Sequence, residues 1–208
     1  MQIEILNPRA NCITENLVAE VKDCKLCADD LPLGPRPVLQ INSAAKILIA
    51  GQAPGRKVHQ TGIPFNDASG DRLREWMGVT SATFYNAMQI AILPMGFCYP
   101  GTGKSGDLPP RAECAIAWRP KLLAQLPNLQ LTLLTGQYAL AWHLNSSKKL
   151  NLTDTVKAWL DYFPETLVLP HPSPRNNIWL KRNGWFTDEV LPALKTRVSE
   201  ILNPSQGD

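Results

Sequence analysis

Residues 51–70, GQAPGRKVHQTGIPFNDASG, stand between an apolar run and a helical pattern. The apolar run, Ile47–Ala50, is typical of a buried strand, and residues 71–77 are typical of a helix. In open α/β sheets, ligands bind where such a strand ends in a glycine-rich loop that leads into a helix. Phe65 and several polar side chains would then share a pocket. The same pattern also fits an ordinary strand-to-helix connection, so the spacing alone leaves both interpretations open.

The other apolar runs predict a parallel sheet. We predict strands over residues 46–50, 88–93, 129–134 and 166–169. We predict helices over residues 14–23, 71–77, 111–126, 137–144, 153–162 and 187–202. The strand patterns are continuous rather than alternating, and helices separate them, which is typical of an α/β fold whose parallel sheet is covered on both faces. The loops after the first and fourth predicted strands therefore meet at one edge of the sheet.

Composition indicates one folded domain. The chain has 208 residues, of which 44% are hydrophobic and 19% are charged, so we predict a single domain over residues 1–208 with its core at about 20–202. No apolar run approaches the length of a membrane span, and the first residues lack the pattern of a signal peptide. We predict a cytoplasmic protein without a membrane partner. The net charge of +3 permits a nucleic-acid partner without requiring one.

Four of the five cysteines form two pairs. Cys24 and Cys27 make a CxxC motif, while fifteen residues separate Cys98, in a loop pattern, from Cys114, at the start of a predicted helix. An odd number of cysteines in a cytoplasmic chain argues against a disulfide framework. Two such pairs can form a four-thiolate site for zinc or an iron–sulfur cluster. Four unrelated buried thiols are the alternative.

Residues 101–105, GTGKS, end like a phosphate-binding P-loop. That pattern requires a glycine where Cys98 stands and a helix directly after the lysine, whereas residues 107–110, DLPP, start a helix poorly. The only evidence for a nucleotide hydrolase would thus be an incomplete P-loop motif. We assign Lys104 to surface charge or to a phosphate contact.

A second rigid, polar loop, HPSPRN, follows the fourth predicted strand at residues 171–176. No acidic residue lies between Thr166 and Thr187. The basic candidates in this segment are His171, Arg175, Lys181 and Arg182. Basic residues interleaved with aromatic ones suit a nucleic-acid backbone, although the two tryptophans fit better as core side chains. His171, which lies at a strand end beside a proline on each side, is the histidine that we expect to do chemistry.

Together these features resemble the uracil-DNA glycosylase superfamily, and most closely its iron–sulfur branch, family 4. The first motif of that branch is Gly-Glu-(Ala/Gly)-Pro-Gly, then Gly-x-Pro-Phe, then Ala-Gly; it matches residues 51–55, 62–65 and 69–70 here. The second motif, His-Pro-Ser-Pro, matches residues 171–174. The branch also carries a CxxC and a later cysteine pair as cluster ligands. The resemblance covers most of residues 20–200.

The resemblance implies a three-layer α/β/α sandwich with a central four-stranded parallel sheet. It also implies a monomeric, monofunctional DNA glycosylase that flips a deaminated base out of DNA and hydrolyses its N-glycosidic bond. His171 would stabilise the departing uracil anion by a hydrogen bond to O2. A structural 4Fe–4S cluster, with zinc as the alternative occupant, would be held by Cys24, Cys27, Cys98 and Cys114.

The implied site residues fall into three groups. The base-binding residues are Gly51, Gln52, Ala53, Phe65, Asn66 and His171. The DNA-binding residues are Ser173, Pro174, Arg175, Lys181 and Arg182. The catalytic residues are His171, Gln52, His59 and Asp67.

Several departures from the family pattern leave the water activator and the preferred base open. Ala53 stands where another branch carries a water-activating Asp, Gln52 replaces the usual Glu, and Pro94 stands near the place of a polar base reader. We take His59 and Asp67 as candidates for activating water. Hypoxanthine and xanthine remain candidate bases beside uracil. The alternative function is a protein that binds uracil-containing or single-stranded DNA without efficient cleavage.

Overall fold

A computed structural model describes residues 8–104, 106–144 and 151–204, which contain six strands and nine α-helices. The strands are β1 (Ile47–Ala50), β2 (Ile90–Ile92), β3 (Thr102–Gly103), β4 (Gly106–Asp107), β5 (Leu131–Thr135) and β6 (Thr166–Leu169). The α-helices are α1 (Pro8–Lys22), α2 (Arg56–Thr61), α3 (Ala68–Met77), α4 (Ser81–Phe84), α5 (Ala112–Leu123), α6 (Gln137–His143), α7 (Leu152–Lys157), α8 (Asn177–Arg182) and α9 (Leu191–Leu202). Short 3-10 turns cover Ala28–Asp30, Trp159–Asp161 and Pro174–Asn176, and a π-helix covers Phe186–Val190.

The main sheet has the strand order β2-β1-β5-β6, and all its pairs are parallel. In register, Ile47 of β1 stands opposite Ile90 of β2 and Leu131 of β5. The four predicted strands are confirmed, since each contains or overlaps the observed one. Strands β3 and β4 form a separate antiparallel hairpin.

Successive residues of β1 are buried on opposite faces of the sheet. Ile47 and Ile49 belong to one buried cluster, which also takes side chains from α3 and α9. Leu48 belongs to a second cluster, with Val21 of α1 and Leu122 of α5. Helices therefore cover both faces, which explains why the strand sequences are apolar throughout and confirms the predicted α/β sandwich.

Four local predictions are corrected by the structure. The glycine-rich stretch contains the helix α2, which Gly62 ends in the left-handed conformation at φ 71°. Residues 94–110, which look like a loop, contain the β3–β4 hairpin. The first helix begins at Pro8 rather than after Thr14, as a proline in the first turn allows. The last predicted helix begins as a π-helix. The helix α2 and the two strands of the hairpin are too short to leave a readable apolar period.

None of the helices within the described ranges is long and apolar enough to cross a membrane. The assignment of residues 1–208 to one domain stays a prediction.

Candidate active site

The loops after β1 and β6 meet at the carboxyl edge of the sheet and enclose a cavity of about 430 Å³. The first loop contributes Gly51, Gln52, Ala53, Phe65 and Asp67 to its lining. The second loop contributes His171, Ser173 and Arg175. Parallel strands bring their carboxyl ends to the same edge, so residues more than a hundred positions apart share one cavity.

Five predicted site residues lie outside the cavity lining. They are His59, Asn66, Pro174, Lys181 and Arg182. Lys181 and Arg182 are exposed in the last turn of α8.

His59 is turned into the protein because its segment forms the helix α2. Its side chain is 8% exposed and its ring centre lies 6.1 Å from that of Tyr99. Burial, with a smaller contribution from the charge of Arg36, lowers the pKa of His59. The placement of His59 in the pocket, which the sequence suggested, is therefore corrected.

His171 is held as a neutral hydrogen-bond donor. The backbone N–H of Ser173 donates to its Nδ1 over 3.2 Å, and the side-chain amide of Asn176 donates to its carbonyl oxygen over 2.6 Å. Burial lowers the pKa of His171, and the carboxylates of Asp67 and Asp107 oppose that effect. Because Nδ1 accepts a hydrogen bond in the neutral ring, the proton is assigned to Nε2. The free N–H of His171 can therefore stabilise an anion in the cavity.

Phe65 has a strained backbone that the surrounding structure holds in place. Its φ is 53°, in the left-handed region that residues with a side chain rarely adopt. A Cβ at Gly70 would overlap its carbonyl oxygen, and Tyr85 Oη donates to the same oxygen over 3.4 Å. Its ring stands beside Gly51 and packs edge-on against Phe84 at 6.1 Å. The cavity thus has a fixed aromatic wall.

The polar side chains of the first loop are already partly engaged. Asp67 Oδ1 accepts the N–H of Gly70 over 3.0 Å and so caps α3. Gln52 Nε2 donates to the carbonyl oxygen of Leu108 over 3.3 Å. Each side chain keeps one further oxygen for a ligand.

The β3–β4 hairpin forms a third wall of the cavity, which the sequence did not reveal. Gly106 and Asp107 line the cavity, and Asp107 Oδ2 lies 3.5 Å from the place where a Cβ on Gly55 would stand. The guanidinium of Arg175 packs so closely on Gly106 that a Cβ there would overlap it. The hairpin that follows the P-loop-like residues therefore forms part of this site, and no local motif identified Asp107.

Arg72 ties α3 to the second loop. Its Nη1 donates to the carbonyl oxygen of Ser173 over 3.0 Å, and its Nη2 donates to Asn177 Oδ1 over 2.8 Å. One guanidinium thus holds the two walls together, and nothing in the sequence around Arg72 marks it for this role.

Arg119 fixes the end of β2 behind the cavity. It is fully buried, and its Nη1 donates to the carbonyl oxygens of Leu93 over 2.6 Å and Pro94 over 3.1 Å. Its Nη2 lies 2.6 Å from His143 Nε2, which accepts the hydrogen bond. Pro94 and Ile92 form an apolar part of the cavity lining at this point.

The four paired cysteines line a second, small cavity that is apolar apart from their thiols. They are Cys24, Cys27, Cys98 and Cys114. All four are free of disulfides. As they are placed, no group of three or more His, Cys, Asp or Glu side chains among residues 8–104, 106–144 and 151–204 could hold a metal ion. The metal site therefore stays a prediction.

Burial disfavours the ionised form of two of these thiols, and two of the four accept N–H hydrogen bonds. Burial raises the pKa of Cys98 to about 11 and that of Cys114 to about 12. The backbone N–H of Phe97 donates to Cys114 Sγ over 3.3 Å, and Trp118 Nε1 donates to Cys24 Sγ over 3.3 Å. Such N–H donors around sulfur are typical of thiolate clusters.

A family model supports the interpretation of the two loops. The model described as the Uracil DNA glycosylase superfamily matches residues 39–195, about three-quarters of the chain. The matched range contains all the strands and both cavity loops, and it begins after Cys24 and Cys27. The chain therefore belongs to the uracil DNA glycosylase superfamily.

Proposed function

We propose that the protein is a DNA glycosylase that removes uracil, or a related deaminated base, from DNA by hydrolysing the N-glycosidic bond. The observation that carries this proposal is the neutral His171, whose Nδ1 is already bonded and whose Nε2–H is available in a cavity that Phe65 also lines. An anion-stabilising donor beside an aromatic wall suits a flipped base that departs as an anion.

The cavity offers a surface for each part of a flipped nucleotide. Phe65 stacks on the base, while Gln52 and the backbone around Gly51 and Ala53 bind its carbonyl groups. Ser173 and Arg175, at the rim that the second loop forms, contact the phosphates. The exposed cations on α8 continue this basic surface along the DNA backbone.

The reaction needs charge stabilisation more than covalent chemistry. The bond between C1′ of the sugar and the base breaks with its electron pair moving to the base, which becomes an anion at O2. His171 Nε2–H donates to that oxygen, and removal of such a donor costs about 3–4 kcal/mol of transition-state stabilisation. Water then adds to C1′ and leaves an abasic site.

We also propose that the chain belongs to the iron–sulfur branch and that Cys24, Cys27, Cys98 and Cys114 hold a 4Fe–4S cluster. The chemistry of the donors supports this proposal, because four disulfide-free thiols line one cavity and two of them accept N–H hydrogen bonds. When bound, the cluster would pin the segments around these cysteines and take no part in the reaction.

Iron content tests the cluster proposal. Anaerobically purified protein should be brown, absorb broadly in the visible and carry about four iron atoms per chain. Cys98→Ser should lose the colour and most of the iron. Colourless protein with stoichiometric zinc would refute the cluster while keeping the four-thiolate site.

Strand cleavage tests the activity. End-labelled oligonucleotides that carry one uracil, hypoxanthine or xanthine, single- or double-stranded, are incubated with the protein and heated in alkali. The rate at which strand breaks form at the modified base should fall by about 100-fold to 1,000-fold in His171→Ala. His171→Gln, which keeps an N–H donor, should retain more activity than the alanine variant.

The alternative function, DNA binding without efficient cleavage, is favoured by one observation. Ala53 supplies no carboxylate at the place where another branch of the superfamily has its water activator. Tight retention of uracil-containing DNA in a gel without breaks at any base would establish this alternative.

A further inference from the structure

The β3–β4 hairpin brings a carboxylate to the cavity at a place that the family motifs do not specify. Asp107 lines the cavity at the end of β4, opposite Gly55 of the first loop. Its charge acts on His171, as that of Asp67 does. We propose that Asp107 is the base that activates the attacking water in the glycosylase reaction, an inference that rests on the proposed function.

Asp107 is better suited to accept a proton than the other polar groups of the site. One carboxylate oxygen of Asp67 already accepts a hydrogen bond from the N–H of Gly70, over 3.0 Å, and so caps α3. Gln52 carries a neutral amide with no basicity. His171 Nδ1 accepts from Ser173, and its Nε2–H is needed for the departing base.

The carboxylate of Asp107 has the environment of a working base. Its side chain is exposed at the cavity, and within the described part of the chain it makes no hydrogen bond or ion pair. A solvent-exposed carboxylate oxygen can accept a hydrogen bond from a water molecule and then take its proton. A negative charge at this place would also stabilise the positive charge that develops on the sugar.

The hairpin is fastened to the DNA-binding loop, so Asp107 keeps its position relative to bound DNA. The guanidinium of Arg175 packs on Gly106, the residue before Asp107, and would have to move if that residue had a side chain. On the other side, the residue after Asp107, Leu108, accepts a hydrogen bond from Gln52 of the first loop. The carboxylate therefore stands between the two family motifs.

The step balances without a further reactant. The bond from C1′ to the base breaks, and its electron pair leaves with the base. The water oxygen forms a bond to C1′ while one water proton passes to Asp107 Oδ2. That proton then passes to solvent or to the departed base, which leaves neutral base, an abasic site and the ionised carboxylate.

Single-turnover kinetics on a uracil oligonucleotide test this role. Asp107→Asn should lower the excision rate by about 100-fold or more. Its affinity for an oligonucleotide with a non-cleavable 2′-fluoro analogue of deoxyuridine should stay near that of wild type. Asp161→Asn, which removes an exposed carboxylate elsewhere, serves as the matched control and should match wild type throughout.

The outcomes separate this inference from the proposed function. If wild type excises a base and Asp107→Asn does so at nearly the same rate, Asp107 is not the base and the glycosylase stands. If Asp67→Asn instead lowers the rate to that extent while Asp107→Asn does not, the role belongs to Asp67. If wild type excises no base at all, the proposed function fails and this inference fails with it. Asp107→Ser, measured in the same way, replaces the Asn variant if that variant does not fold.

Discussion

Acidification should destabilise the protein through His143, which lies behind the cavity. Burial lowers the pKa of Arg119 to about 10, so its guanidinium remains charged at neutral and acidic pH. His143 Nε2 accepts a hydrogen bond from this cation over 2.6 Å, which only the neutral imidazole can do. Burial first, and the charge of Arg119 second, lower the pKa of His143 to about 4.

The sign and the size of the effect follow from that pKa. Histidine titrates at about 6.5 in the unfolded chain, so the unfolded state binds the extra proton first as the pH falls. The contribution of His143 to the free energy of unfolding is therefore fully present above pH 6.5, and it is lost progressively as the pH falls towards about 4. The whole shift of the His143 pKa corresponds to a loss of roughly 3.5 kcal/mol in the free energy of unfolding, at about 1.4 kcal/mol per pKa unit. Because the ring is partly exposed, screening by water reduces the expected loss to about 2 kcal/mol.

Urea unfolding of wild type and His143→Gln at about pH 7 and about pH 4.5 measures this loss. The glutamine keeps an acceptor for Arg119 and does not titrate, while all other ionisable groups are the same in both proteins. Wild type should lose about 2 kcal/mol more than the variant between the two pH values. An equal loss in both proteins would refute the assignment of the neutral ring to His143.

Two further predictions concern the walls of the cavity. Gly70→Ala should lower the free energy of unfolding by more than about 2 kcal/mol, because its Cβ would overlap the carbonyl oxygen of Phe65, which is a backbone atom and cannot move aside as a side chain can. Thermal unfolding measures this loss, and a variant as stable as wild type would contradict the prediction. Arg72→Ala should lower the stability by about 1–3 kcal/mol and weaken DNA binding, because the loop at Ser173 loses its hydrogen bond from Arg72. Arg72→Lys should have effects between those of wild type and the alanine variant. An unchanged affinity in a gel-shift titration would contradict a role of Arg72 in holding this loop.

The sequence by itself determined the sheet and the chemistry of the two loops. Continuous apolar runs separated by helices predicted four buried parallel strands, and parallel strands necessarily bring their carboxyl ends to one edge. The match of residues 62–65 and 171–174 to family motifs then placed Phe65 and His171 in one site, where both line the cavity. These features are readable because they depend on side-chain type and on spacing along the chain.

Only the tertiary structure determines which side chains line the cavity. His59 lies in the predicted loop, yet one short helix turns it against Tyr99, while Asp107 reaches the cavity from a hairpin with strands of two residues. Likewise, Arg72 finds its partner at Ser173 across the fold. Such contacts depend on how separate segments pack in space. The periodicity of a sequence shows only which face of a helix or strand is buried, so it does not predict these contacts.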